Sequence, residues 1–107
     1  MINKKLLFIP GIDQISIINI NKLLVKTIYV PNSSYIIGVY LLNENILLTG
    51  DDSRAIIQWE IEGDNLNFKS KKENAHNGAI FSIIKTGDGH IITGSDDKSI
   101  KIWQNNN

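Results

Sequence analysis

Cysteine is absent from the 107 residues. That excludes the disulfide framework with which small secreted domains compensate for a thin core, and it points to a reducing compartment, the cytoplasm first and the nucleus second. Arginine occurs once, at Arg54, against ten lysines. The guanidinium is the side chain that grips phosphates bidentately and reads guanine edges, so its scarcity argues against nucleic acid as a partner. Eleven acidic and eleven basic side chains cancel, leaving no net field to draw the chain to a polyanion or an anionic bilayer. Long hydrophobic runs are missing too. Leu6-Leu7-Phe8-Ile9 stops at Pro10-Gly11, too short to span a membrane or to form the core of a signal peptide. No membrane partner is expected.

Isoleucine, in contrast, makes up roughly a fifth of the chain. It is β-branched, stiff at χ1 and favoured in strands. No helical period runs through the sequence. Short apolar or alternating runs recur instead, each followed by a polar turn. This pattern predicts about ten strands, near Lys5–Ile9, Ile15–Ile20, Leu23–Val30, Ile36–Leu41, Ile46–Thr49, Ala55–Ile61, Leu66–Lys71, Ile80–Lys85, His90–Thr93 and Ser99–Gln104. Turn chemistry separates them at Pro10-Gly11, Gly50-Asp51-Asp52, Gly63-Asp64, Gly87-Asp88-Gly89 and Gly94-Ser95-Asp96, where glycine supplies positive φ and Asp, Asn or Ser bonds its own backbone. The fold class is all-β, an antiparallel meander.

Internal repetition carries more weight than any single strand. Gly50-Asp51-Asp52-Ser53-Arg54-Ala55-Ile56-Ile57-Gln58-Trp59 aligns without a gap, 44 residues on, with Gly94-Ser95-Asp96-Asp97-Lys98-Ser99-Ile100-Lys101-Ile102-Trp103. Thr49 falls on Thr93 at the same offset. A weaker upstream copy at an offset of 39 places Gly11 on Gly50, Ile9 on Leu48 and Ile20 on Trp59. A four-stranded sheet with two apolar faces cannot cover itself and needs a neighbour on each side.

The stretch Ala75-His76 … Ile91-Ile92-Thr93-Gly94-Ser95-Asp96-Asp97-Lys98-Ser99-Ile100-Lys101-Ile102-Trp103 closely resembles a repeat of the WD-repeat β-propeller family. The resemblance implies a partial propeller of antiparallel four-stranded blades, about two and a half in number. They divide as a degenerate blade over 5–30, a middle blade over 36–72 and the best-matching blade over 79–104, and they are not expected to close a ring. The first blade is expected to lack its inner strand and the last its outer one. The resemblance also implies a structural hydrogen-bonded tetrad made of His76, Thr93, Asp97 and Trp103. The middle copy keeps Thr49 and Trp59, but it has Asn32 at the histidine position and Ser53 at the turn aspartate, with neighbouring Asp52 as a substitute. The first copy has Ile20 for the tryptophan and Pro10 for the threonine, hence no tetrad. Trp103-Gln104 and Trp59-Glu60 replace the family's Trp-Asp pair.

No residue is assigned to catalysis, to a cofactor or to a metal. Asp51-Asp52 and Asp96-Asp97 follow glycine in the same repeat frame and read as turn residues. His90, two residues from Asp88, reads as an exposed strand residue after a hairpin turn, with no third ligand in view. His76 has no nucleophile beside it. Lys69, Lys71 and Lys72 read as a solvated edge that resists strand pairing. The expected function is therefore a protein-interaction scaffold that engages other proteins or peptides, with Asn77, Asp96, Lys98, Asp52 and Arg54 as candidate contacts. Apolar blade faces left open at the two ends are expected of a fragment of a larger propeller, of an assembly with other chains, or of a chain that self-associates or aggregates in isolation. The alternatives are a propeller-based hydrolase or metal-binding enzyme using turn carboxylates, and a non-functional remnant of a larger protein.

Overall fold

The computed structural model describes residues 2–3, 6–30 and 35–104. Among them are eleven strands and no helix. They form three antiparallel sheets, and each follows chain order. The first sheet holds β1 (Ile2–Asn3), β2 (Leu6–Gly11), β3 (Gln14–Asn19) and β4 (Leu24–Tyr29). The second holds β5 (Ile36–Asn43), β6 (Ile46–Asp51), β7 (Ile56–Glu62) and β8 (Asn65–Lys72). The third holds β9 (Ile80–Lys85), β10 (Ile91–Ser95) and β11 (Ile100–Trp103). The sheets stay open; none closes into a barrel.

Within the second sheet, successive strands are joined by tight polar turns. Between β7 and β8 the turn is Gly63-Asp64, with Gly63 at φ +62°, a conformation that a hairpin turn demands and glycine adopts without steric cost. The sheets then stack face to face through two apolar layers. Leu6, Phe8, Ile15 and Ile17 of the first sheet meet Leu47, Ile57, Trp59 and Leu66 of the second. Tyr40, Ile46, Leu48 and Ile56, on the opposite face of the second sheet, meet Ile80, Ile83, Ile91 and Trp103 of the third. The second junction is tight. A Cβ added to Gly50 would lie 2.6 Å from Ile80 Cγ2, so only glycine lets β6 come this close to β9.

Three expectations require correction. The first sheet has a first strand after all, the two-residue β1, paired with Leu6 and Leu7; the third sheet has three described strands. Pro10-Gly11 is no turn: it ends β2, and the chain reverses at Ile12-Asp13, with Asp13 at φ +54°. β1 does not reach that far, so β2 has edge character at Pro10, where a missing N–H is tolerated. Gly50-Asp51 and Gly94-Ser95 likewise end β6 and β10 rather than begin turns.

The third correction concerns register. Phe8 pairs with Ile17 and Leu7 with Ile18, while Leu48 pairs with Gln58 and Leu47 with Trp59. Phe8, like Leu48, faces the following sheet, whereas Ile9 is exposed. Phe8 therefore stands where Leu48 does, and Ile18, not Ile20, stands where Trp59 does. The offset of 39 was one residue short on β2, and a slip of one residue turns every side chain of a strand to the other face. Ile20 lies in the turn after β3, and Ile9 occupies the threonine position. The first sheet has no tetrad on either register.

Candidate functional site

His76 lies in the segment between β8 and β9 and is buried, as is Thr93 in the middle of β10. The Trp103 indole N–H donates to Thr93 Oγ1 at 2.9 Å. Thr93 Oγ1 lies 2.7 Å from His76 Nε2, and His76 Nδ1 lies 3.0 Å from Asp97 Oδ2. Indole can only donate and a carboxylate can only accept. The chain of bonds is thus satisfied in one direction, from Trp103 through the Thr93 hydroxyl and an imidazole carrying its proton on Nδ1 to Asp97. The structure brings these four side chains together from the β8–β9 segment, β10, the β10–β11 turn and β11.

Asp97 is also the anchor of its turn. Its Oδ1 accepts from the Ser99 backbone N–H at 2.8 Å and the Ser99 hydroxyl at 2.6 Å. Its Oδ2 accepts from the Asn77 backbone N–H at 2.9 Å. These donors, the Ser99 hydroxyl foremost, hold the Asp97 carboxyl well below the ordinary carboxylate range. The carboxylate thereby pins the loop before β9 to the turn between β10 and β11.

The second sheet reaches a similar result with different residues. The Trp59 indole donates to Thr49 Oγ1 at 3.0 Å; Asn32 lies outside the described residues. The work of Asp97 is divided between two acids. Fully buried Asp51 accepts through Oδ1 from the Ser53 N–H, the Ser53 hydroxyl and the Ala55 N–H. Exposed Asp52 accepts from the Tyr35 N–H at 3.0 Å, reaching across to the start of β5.

All five candidate contact residues, Asp52, Arg54, Asn77, Asp96 and Lys98, are exposed. Arg54 and Lys98 occupy the same place in their two turns, at φ +72° and +70°. The rim they form is continuous in the backbone. The Ala75 N–H donates to the Arg54 carbonyl at 2.9 Å, joining the β6–β7 turn to the segment that carries His76 and Asn77. The Asp96 N–H donates to the Ala79 carbonyl at 3.1 Å, joining that segment to the β10–β11 turn. The Lys101 ammonium closes on the Ala75 carbonyl at 2.7 Å.

Sequence reasoning missed Ser99, Asp51 and Lys101. A hydroxyl two residues after the turn acid in both copies, Ser53 after Asp51 and Ser99 after Asp97, was the available signal for the first two. Nothing in the sequence marked Lys101. His90 also differs from its expectation. It is half-buried and precedes β10, its ring nitrogen 3.0 Å from Asp88 Oδ1 and its N–H on the Thr86 hydroxyl. The Thr86 hydroxyl and, after it, His90 lower the Asp88 carboxyl to about 2. This is a self-contained turn. No three His, Cys, Asp or Glu side chains among the described residues gather as metal ligands. An apolar cleft of about 430 Å³ opens between the first two sheets, lined by Tyr29, Trp59, Leu66, Phe68 and Lys71 among others. Trp59 and Phe68 meet edge to face there, with centroids 6.1 Å apart.

Comparison with curated proteins returns no match. Residues 68–104 match the family model described as WD domain, G-beta repeat. The match opens at Phe68, inside β8, so the sequence unit straddles the last strand of the second sheet and all three of the third. Over residues 68–104 the chain is similar to a WD repeat, set in an all-β array of three stacked antiparallel sheets that is consistent with a partial propeller.

Proposed function

We propose that this chain is a non-catalytic interaction module that engages a protein or peptide across the rim formed by Asp52, Arg54, Asn77, Asp96 and Lys98. A WD repeat is the mark of a protein-interaction scaffold. The observation that carries the finer reading is the pairing of a fixed backbone with exposed side chains. Carbonyl-to-amide bonds lock the two turns and the segment between them into one surface, while the five side chains remain exposed. Each turn offers one acid and one base in equivalent places, Asp52 with Arg54 and Asp96 with Lys98, which suits a partner of mixed charge. The carboxylates an enzyme would need are committed elsewhere: Asp51 and Asp97 each hold a turn through several donors. That commitment supports the interaction reading over a hydrolase.

Positive φ provides a clean test. Glycine adopts this conformation more readily than arginine or lysine, so Arg54→Gly with Lys98→Gly removes both side chains while sparing the turns. Proteins captured by the wild-type chain should be lost with this pair and retained with Lys69→Ala and Lys85→Ala, which lie on β8 and β9 away from the rim. An unchanged capture profile would refute the rim as the contact surface.

A further inference from the structure

We infer that the cleft between the first two sheets receives an extended acidic segment of the partner, with one large apolar side chain seated in it. This rests on the reading of the chain as an interaction module and names the chemistry of what it binds. The cleft opens between β4 and β8, the last strands of their sheets, and among the described strands each pairs on one side only. Its floor is Trp59 and Leu66, both buried, and its lips are Tyr29, 76% exposed, and Phe68, 60% exposed. The Trp59 indole N–H is already engaged by Thr49, so the floor offers ring and methyl carbon. A volume of about 430 Å³ falls within the range of ~300–1,000 Å³ usual for ligand pockets, and it suits an apolar anchor. The first two sheets already face each other, so a sheet added at either end of the array does not reach this cleft.

Charge selects the occupant. Neither β4 nor β8 contains an acidic residue, whereas both carry lysine. Lys71 lines the cleft. Lys26 pairs with Ile17, so it stands on the face that the first sheet turns to the second, two residues before Ile28 on the opposite wall. Glu73 approaches Lys71 at 3.8 Å but is itself 74% exposed. Such an ion pair contributes little, and an incoming carboxylate can take the place of Glu73. A second hollow of about 310 Å³ adjoins through Lys71 and is lined by Ser53, Glu73 and Asn74. Ser53 belongs to the β6–β7 turn, so the track runs from the cleft along β8 to the rim, and a partner seated on the rim can pass a segment down it. The outer edge of β8 favours a peptide over a detached anionic amphiphile. A strand edge presents a row of N–H and C=O groups, which an extended peptide satisfies by lying beside it and an alkyl chain does not.

The probe is an array of short peptides in three sets. In the first a central Leu, Phe or Trp is flanked on both sides by acidic residues, in the second by basic residues, and in the third a central Ala is flanked by acidic residues. The wild-type chain should bind the first set about tenfold or more tightly than the other two. Lys26→Glu with Lys71→Glu should turn the preference to the basic set, with circular dichroism reporting that the strands persist. Arg54→Gly with Lys98→Gly should leave the peptide binding unchanged, so the cleft and the rim fail separately. A benzophenone at the central position should, on irradiation, label cleft residues such as Tyr29 and Phe68 in the wild-type chain, a readout that needs no variant to fold. No preference for the first set, a preference that survives the charge reversal in a folded variant, loss of binding with the rim pair, labelling away from the cleft, or binding of decanoate without any acidic peptide would each overturn the inference.

Discussion

Replacing Thr93 with valine keeps the shape of a fully buried side chain and removes the hydroxyl on which two hydrogen bonds converge. The Trp103 indole at 2.9 Å loses its acceptor, and His76 Nε2 at 2.7 Å loses its partner. Trp103 is half-buried, so water can recover part of its bond, and the loss there is about 1 kcal/mol. His76 is only 1% exposed. Its stranded nitrogen costs about 2 kcal/mol, in the range for a buried group left without a partner. The added methyl returns at most about 0.8 kcal/mol. The net expectation is a destabilisation of about 2 kcal/mol. In urea this appears as a midpoint lowered by about 1 M, at unchanged slope and fixed protein concentration. Thr93→Ser keeps the hydroxyl and drops one methyl, so it should lose only about 1 kcal/mol. If valine proves as stable as wild type, or serine as damaging as valine, the hydroxyl is not the joint described above.

Asp97 has its carboxyl held below the ordinary 3.8 by the Ser99 hydroxyl and its other donors. Its contribution is therefore present above that value and fades as the pH falls below about 4, through the folded-state value. The stability gap between wild type and Asp97→Asn should shrink across that window in urea titrations, and a gap independent of pH would count against the assignment. Gly50→Ala drives a methyl against Ile80, 2.6 Å from Cγ2 and 2.9 Å from Cβ, and should cost about 1–3 kcal/mol. A double-mutant cycle with Ile80→Ala should recover part of that loss, whereas strict additivity would place the strain elsewhere. Leu47→Ala, at a fully buried position between the first two sheets, should cost about 2–5 kcal/mol by thermal or urea unfolding. Ile100→Ala, at a position 75% exposed on the third sheet, should cost under about 0.5 kcal/mol. Equal losses would deny that the third sheet has an open outer face.

Much of this molecule is legible residue by residue. The β-branched runs, broken by glycine and aspartate, specify antiparallel strands because such residues pack well on a pleat and the breakers hold turns. The gapless offset of 44 equates Thr49 with Thr93 and Trp59 with Trp103, and each pair makes the same indole-to-hydroxyl bond. Both are local matters of side-chain type and spacing. The register of the first sheet is different in kind. In Leu6-Leu7-Phe8-Ile9 and Ile17-Ile18 every position is apolar, so no alternation tells one face from the other. Only packing against Leu47 and Trp59 selects Leu6, Phe8 and Ile17 as the buried set. The fates of the acids were hidden for the same reason. Asp51 and Asp52 are neighbours of identical chemistry, yet one is sealed beneath Ser53 and Ala55 and the other reaches Tyr35. That division depends on where the strand β6 ends and the turn begins, which the stacking of sheets decides and the order of residues does not.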